Sequence, residues 1–177
     1  MLIDLHNHLL WDCDDGPGNE KNSLKILQAA ERAGIGAIVC TPHRFHPAIP
    51  SPDTDTVASR LQILQEQTGI HLLAGAEHYF SPELIDALDD GPTDACALQG
   101  RCLLVEFGQL LRPAALSAFL QKLRRAGLDM ILAHPERTPF ASDFDFLQEL
   151  GGQGCFFLLN AGSLVGSDGH GTRRAAR

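Results

Sequence analysis

The sequence lacks paired cysteines. Its five cysteines are an odd number and contain no C-x-x-C pair; they are Cys13, Cys40, Cys96, Cys102 and Cys155. Neither a disulfide framework nor a cysteine zinc ribbon is therefore expected. We expect reduced thiols that are mostly packed in the interior.

Two further absences concern membranes and nucleic acids. The N-terminus has no basic segment followed by an apolar run, and no window approaches the roughly 18 apolar residues of a membrane span. The chain has no Lys/Arg-rich run, and its formal net charge is -8. Because binding to nucleic acid or to an acidic membrane needs a positive field, neither is expected. These absences predict a cytoplasmic protein.

What the sequence does contain is a regular alternation of strand and helix patterns. At 177 residues and 44% hydrophobic content, the chain can bury one substantial core, which predicts a single domain over residues 1–177. Helical patterns cover 20–33, 56–67 and 113–126, and each is followed by a glycine in the place of a helix C-cap: Gly34, Gly69 and Gly127. Short apolar runs predict six strands, at 2–5, 37–40, 71–74, 102–107, 130–133 and 155–159. This alternation favours a parallel sheet or a barrel.

Two segments interrupt the alternation. Residues 44–56 (RFHPAIPSPDTDT) and 89–100 are rich in Pro, Asp and Gly, which is typical of loops. We expect them to form lids or to contact substrate.

Polar residues follow the predicted strands at their C-terminal ends. In parallel α/β barrels, catalytic residues from separate strands gather at that face, so the series predicts one site. Its members are His6, His8, His43, Glu77, Glu106, His134 and Asn160, with Asp168 and His170 a little further along.

These residue types indicate a metal site. Imidazoles and carboxylates without thiolates suit Zn²⁺, Mn²⁺ or Fe²⁺, and the two rings of His6 and His8 point to the same side of a strand. Singly, each residue has a simpler interpretation: Asp14 and Asp15 could form an Asx turn with Gly16, and His71 could merely begin a strand. Together, they would carry a desolvation penalty without a metal or a partner. Four residues are left out of the predicted ligand set: Asp12, Asp14, His46 and His78.

Seven stretches together resemble one known superfamily. They are IDLHNHLLWDCDDGP, CTPH, GAEHYFSPEL, LLVEF, ILAHPER, NAGSL and SDGH. The sequence is similar to the PHP (polymerase and histidinol phosphatase) superfamily of metal-dependent phosphoesterases, and within it to the bacterial protein-tyrosine phosphatases of capsule and exopolysaccharide operons. The resemblance implies a distorted (βα)7 TIM-like barrel with two to three divalent ions, Mn²⁺ first and Fe²⁺ or Zn²⁺ as alternatives.

The resemblance also implies a division of the ligands among three ions. One ion would take His6, His8, Glu77 and Asp168. A second would take Glu77, Glu106 and His134, and the third would take Asp15, His43 and His170.

A mechanism follows from these charges. Water bridging the cations, with its pKa lowered toward neutrality, would supply hydroxide for in-line attack on phosphorus. The Cys-x5-Arg loop of cysteine-based tyrosine phosphatases is absent, so no cysteine nucleophile is expected. The predicted catalytic residues are His134 and Arg137, because a planar guanidinium can bind phosphoryl oxygens. Arg44 could assist, and the simpler interpretation of Arg137 is a surface salt bridge to Glu136.

The sequence departs from the family pattern near its C-terminus. Family members carry another helix and strand between NAGSL and SDGH, whereas here 164–166 run directly into Ser167 and Asp168. Either SDGH folds back over the site, or a partner chain fills a gapped barrel, or a segment is missing from the sequence. Open strand edges would favour a homo-oligomer.

The leading functional hypothesis is a protein-tyrosine phosphatase that regulates capsular or exopolysaccharide synthesis, with a bacterial tyrosine autokinase as partner. A small-molecule phosphatase, for example one acting on histidinol phosphate, and an inactive metal-binding scaffold are the alternatives. A nucleic-acid exonuclease ranks last because the chain is acidic.

The arginine of the ILAHPER stretch gives the first test. Arg137→Ala should lower turnover of a phosphate ester and leave the metal content intact, because the guanidinium would bind phosphate and not the ions. Steady-state kinetics and elemental analysis of the same preparation would measure both quantities. Unchanged turnover would remove Arg137 from the mechanism.

Overall fold

The computed structural model describes residues 1–89, 101–108 and 113–167. The chain divides into two compact units, Met1–Leu98 and Gln99–Arg177. Among the described residues, none of the helices has the length and apolar character needed to cross a membrane. The expectation of one domain over the whole chain stays a prediction.

The first unit is a mixed α/β structure with parallel strands. Its elements in chain order are β1 (Leu2–Asn7), α1 (Glu20–Arg32), β2 (Ile35–Cys40), β3 (His43–Arg44), α2 (Thr54–Gln65), β4 (His71–Ala74), β5 (Glu77–Tyr79) and α3 (Pro82–Asp89). Strands β1, β2 and β4 form one parallel sheet in that order. Strands β3 and β5 form a parallel pair in which His43 lies opposite Glu77.

The helices of the first unit begin where the sequence provides a capping side chain. The Asn19 side chain accepts a hydrogen bond from the Asn22 amide at the start of α1, and the Asp53 side chain accepts one from the Thr56 amide in α2. Such caps satisfy backbone donors that have no partner within the helix. A buried apolar cluster that includes Leu27, Ile38 and Leu64 joins these helices to the sheet.

The second unit repeats the pattern. Its elements are β6 (Cys102–Glu106), α4 (Pro113–Arg125), β7 (Asp129–Ala133), a 3-10 turn (Pro135–Arg137), α5 (Phe144–Gly152), β8 (Cys155–Leu158) and α6 (Ala161–Val165). Strand β7 pairs in parallel with β6 on one side and with β8 on the other.

The structure confirms the six predicted strands and the three predicted helices. Two very short strands, β3 and β5, and three helices, α3, α5 and α6, were not predicted, because elements of two to nine residues are too brief to show a periodicity. The predicted loop 44–56 begins in β3 and ends in α2. The other predicted loop, 89–100, lies outside the described residues apart from Asp89.

One predicted helix cap is wrong. Gly34 and Gly127 have the left-handed backbone conformation of a C-cap glycine, with φ of 78° and 73°. Gly69 does not have a positive φ. Helix α2 already ends at Gln65, and the chain passes through two further residues of turn before Gly69, so that glycine does not close the helix.

Apolar side chains remain exposed on two edge strands. Within the described residues, β1 pairs only with β2 and β8 only with β7. Leu2 and Ile3 on β1 are 62% and 54% exposed, and Phe156 on β8 is 57% exposed. Such edges can pair with another chain, and the expected homo-oligomer stays a prediction.

The difference between the two glycines of the first unit is testable. Gly34→Ala should lower the free energy of unfolding by about 1 kcal/mol, because a Cβ is strained at positive φ. Gly69→Ala is the matched control: both positions have open space for a Cβ, and only Gly34 has a positive φ. Urea unfolding of both variants measures the effect, and equal losses would contradict the assigned conformations.

Candidate metal centre

A buried carboxylate lies at the centre of the first unit's polar cluster. Glu77 begins β5 and is 0% exposed. Its Oε2 atom lies 3.2 Å from Nδ1 of His43, the residue opposite it on β3. The parallel pairing of two very short strands therefore places one carboxylate against one imidazole.

His6 of β1 and His8, the residue directly after β1, reach the same carboxylate. Nε2 of His6 lies 3.3 Å from Oε1 of Glu77, and Nε2 of His8 lies 3.2 Å from Oε2. The two rings are 5.0 Å apart. The H-x-H spacing thus brings both rings to one point, as the period of a strand requires.

Asp15 lies at the exposed side of this cluster. Its Oδ1 atom is 3.6 Å from Nδ1 of His8 and 3.6 Å from Nε2 of His43. The Asp15 side chain is 61% exposed. Five predicted ligands of the first unit are therefore close together: His6, His8, Asp15, His43 and Glu77.

Asp14 has a role that the sequence did not reveal. Its side chain is 0% exposed and accepts hydrogen bonds from Nδ1 of His8 (2.6 Å), from the His43 amide (3.0 Å) and from the Gly16 amide (2.9 Å). The last bond is the Asx turn considered from the sequence. A carboxylate on the far nitrogen of a metal-binding histidine fixes the ring and its tautomer. Asp14 was left out of the predicted ligand set, and its role is to orient the ring of the candidate ligand His8.

Thr41 is a second supporting residue that was not predicted. Its Oγ1 lies 2.7 Å from Nδ1 of His6 and accepts a hydrogen bond from the Asn7 amide (3.1 Å). Thr41 is 0% exposed. The CTPH stretch therefore contributes both His43 and the hydroxyl that fixes the ring of His6.

The loop between β1 and α1 is held in place by buried side chains and by Arg60. Leu9 and Leu10 are buried in the apolar cluster, and the buried Ser23 hydroxyl donates to the Leu9 carbonyl (2.7 Å). Arg60 of α2 donates to the carbonyls of Trp11 and Asp12. At Gly16, a Cβ would collide with the His8 carbonyl oxygen, so the turn after the DCDD cluster needs a glycine.

Burial and the neighbouring carboxylates shift the pKa values of this cluster in opposite directions. Burial lowers the pKa of His8, but hydrogen bonds donated by its ring to Asp14 and Glu77, with the charges of these carboxylates, outweigh burial and raise the pKa to about 10. Burial raises the pKa of Asp14, but the hydrogen bond from His8 outweighs burial, so the pKa is lowered. Burial lowers the pKa of His43 despite the neighbouring Glu77.

This donor set fits a divalent cation. Within the first unit, two groups of side chains have ligand atoms within 4.8 Å of one another: His6, His8 and Glu77, and His8, Asp15 and His43. Imidazole nitrogens and carboxylate oxygens are ligands of Zn²⁺, Mn²⁺ and Fe²⁺. A cation would also balance the negative charge of Glu77, which is buried away from water.

The second unit holds two further predicted ligands. Nε2 of His134 lies 3.9 Å from Oε1 of Glu106. His134 has a left-handed backbone, with φ of 32°, and its amide donates to the Leu158 carbonyl at 2.8 Å. A non-glycine residue in this conformation is strained and persists only when its surroundings hold it. The assignment of these two residues to a second ion stays a prediction.

Glu136 joins the turn after β7 to the segment after β8. It is 4% exposed, and its Oε1 accepts from the Ser163 hydroxyl (2.8 Å) and the Asn160 amide (3.2 Å). ILAHPER and NAGSL are therefore connected by a buried carboxylate. Glu136 is not a surface residue, whereas Arg137 beside it is exposed.

Four residues singled out in the sequence are not among the residues of the clusters described above. Asp168 and His170 lie outside the described residues. His71 is exposed at the start of β4, as its simpler interpretation required. The role of Arg137 stays a prediction.

Comparison with known proteins assigns the chain to a family. Residues 2–177 match the family of capsular polysaccharide synthesis proteins CpsB/CapC. The chain belongs to this family. It is 30% identical to CapC of Staphylococcus aureus, covering 98% of this chain and 69% of that protein. It is 27% identical to the tyrosine-protein phosphatase CpsB of Streptococcus pneumoniae, covering 90% of this chain and 68% of that protein.

A solved structure agrees with this family membership. The match has a TM-score of 0.82 and 26% identity, and covers 98% of this chain and 72% of that one. It comes from crystal structures of YwqE from Bacillus subtilis and CpsB from Streptococcus pneumoniae, described as unique metal-dependent tyrosine phosphatases. The mixed α/β fold with parallel strands is thus a property that the chain shares with a solved relative.

The connection through Glu136 can be tested by stability. Ser163→Ala should lower the free energy of unfolding by about 1–3 kcal/mol, because a buried carboxylate loses one of its donors. Ser167→Ala, which removes an exposed hydroxyl bonded to the Gly162 carbonyl, is the control and should change stability by less than about 0.5 kcal/mol. Urea unfolding would give both values, and a neutral Ser163→Ala would contradict the connection.

Proposed function

We propose that this chain is a metal-dependent phosphoric monoester hydrolase that removes phosphate from phosphotyrosine in proteins during capsular or exopolysaccharide synthesis. The observation that carries the proposal is the convergence of His6, His8, His43 and Asp15 around the buried Glu77. Named relatives of the CpsB/CapC family are tyrosine-protein phosphatases, which supports the substrate class.

The ligands of the first unit would hold ions between imidazole and carboxylate donors. Divalent ions bound there would supply Lewis acidity toward the phosphoryl oxygens and lower the pKa of water. Asp14 and Thr41 hold the rings of His8 and His6 in one orientation. The chain thus contributes a preformed cluster of ligand atoms, with Mn²⁺ proposed ahead of Fe²⁺ and Zn²⁺.

Two residues of the second unit are proposed to act on the substrate. Arg137 is exposed and its amide donates to the His134 carbonyl (2.9 Å), so both side chains leave the same tight turn. A guanidinium can bind two phosphoryl oxygens at once. His134, beside Glu106, could serve either as a ligand or as the residue that protonates the leaving oxygen.

The finer features of the fold and the partner are also proposals. The TM-score of 0.82 with a metal-dependent phosphatase supports a distorted (βα)7 barrel. The direct run of 164–166 into Ser167 and Asp168 in the sequence is the basis for proposing that one βα unit is absent near the C-terminus. A phosphorylated bacterial tyrosine autokinase is the proposed protein substrate. Its phosphotyrosine would supply the phosphate ester that the cluster acts on.

The proposal is tested by metal content and turnover together. The purified protein should contain two or three transition-metal ions per chain and hydrolyse a phosphotyrosine peptide, and a chelator should abolish hydrolysis. His8→Ala should lose metal and reduce turnover by about 100-fold or more, because His8 belongs to both ligand groups. Elemental analysis and phosphate release measure the two effects.

His71→Ala is the matched control. It also removes one imidazole from the first unit, but His71 is exposed at the start of β4 and should leave metal and turnover unchanged. A protein that binds metal and hydrolyses no phosphate ester would contradict the proposed function. Equal losses in His8→Ala and His71→Ala would contradict the proposed cluster.

A further inference from the structure

A cavity of about 520 Å³ lies beside the candidate metal centre in the first unit. Its walls include three aromatic side chains, Phe45, Tyr79 and Phe80, together with His46 and Glu83. Most of these residues directly follow β3 and β5, the two strands that contribute His43 and Glu77. A cavity of this size is within the range of small-molecule sites.

The direction of the strand places one wall next to the metal ligands. Glu77 and Tyr79 are two residues apart on β5, so their side chains lie on the same face. The ring of His46 contacts the ring of Tyr79 edge to face at 4.8 Å and lies 5.0 Å from the ring of His43. His46, which lines the cavity, therefore lies directly beside the candidate metal ligand His43.

Local hydrogen bonds hold the segments that line the cavity. The Phe45 amide donates to the Ser51 hydroxyl (3.0 Å), and the Ala48 amide donates to Nδ1 of His46 (3.2 Å). Phe45 itself has a left-handed backbone with φ of 60°. Elsewhere in the lining, the Ser81 hydroxyl accepts from the Leu84 amide (3.3 Å) at the start of α3. These bonds hold the backbone that carries the rings, and a preformed lining lowers the cost of binding.

We infer that this cavity receives the aromatic ring of the phosphotyrosyl residue and gives the site its preference for aryl over alkyl phosphate esters. The inference rests on the proposed function. A phosphotyrosine ring is joined to its phosphate by a single oxygen, so a phosphate at the cluster would bring the ring to the wall formed by His46 and Tyr79. Aromatic rings pack favourably edge to face or offset against such walls. The smaller side chain of phosphoserine would leave the cavity unfilled.

Binding of two phosphonates tests the inference without turnover. Phenylphosphonate and methylphosphonate carry the same phosphonate group and differ by the ring, and neither is hydrolysed. Calorimetry on the full, Mn²⁺-loaded chain should give about 10-fold tighter binding of phenylphosphonate. Tyr79→Ala should reduce this preference to about twofold or less, whereas Tyr79→Phe, which keeps the ring, should retain it.

Methylphosphonate affinity is the internal check on each variant, since it reports the phosphate-binding part alone. His46→Ala is a second variant on the same wall and should also weaken phenylphosphonate selectively. Phe144→Ala removes an exposed ring in α5 outside the cavity and should have no effect. Equal binding of the two phosphonates by the unaltered protein, equal loss of both in Tyr79→Ala, or binding of neither would overturn the inference.

A separate measurement distinguishes failure of the proposed function from failure of the cavity assignment. Hydrolysis of a phosphotyrosine peptide is measured on the same preparations, with a phosphoserine peptide beside it. A ring preference in binding without hydrolysis would contradict the proposed function and leave the cavity assignment supported. Hydrolysis of both peptides at equal kcat/KM, with no ring preference, would overturn the cavity assignment alone.

Discussion

Glu77 carries a carboxylate at a position that water does not reach, and three imidazole rings surround its two oxygens. A buried charge of this kind is costly unless positive charge or hydrogen bonds compensate it. His8 supplies part of that compensation, because the neighbouring carboxylates raise its pKa, and a bound cation would do so more completely. Strand β3 and the β1–α1 loop contribute rings that face this one carboxylate, and the hydroxyl of Thr41 holds the ring of His6.

The position of the candidate ligands depends on supporting residues that do not belong to the predicted ligand set. Asp14 accepts three hydrogen bonds, from His8, His43 and Gly16, so a single carboxylate joins the loop after β1 to the start of β3. Arg60 attaches the same loop to α2. Because these contacts join three separate segments, the loop after β1, β3 and α2, the geometry of the cluster depends on how they pack together in the first unit.

Much of the fold and of the cluster could be predicted from the sequence. The long helices have clear periodicity and capping residues, and the ligands stand at strand ends, where a polar residue directly after an apolar run is conspicuous. Asp14 and Thr41 were missed because their role is to hold another side chain, and a sequence pattern does not reveal which groups become neighbours. Gly69 was misassigned because a helix can end before the glycine that follows it. The burial of Glu136 was missed because its donors, Asn160 and Ser163, are more than twenty positions away in the chain.

The left-handed conformation of His134 restricts what this position can accept. Among residues other than glycine, histidine, asparagine and aspartate adopt it most readily, and β-branched side chains adopt it with difficulty. The backbone turns there because the amide is committed to Leu158 and the carbonyl to the amide of Arg137. Position 134 must therefore meet two requirements, one from the chemistry of its side chain and one from the left-handed conformation of its backbone. Few amino acids satisfy both.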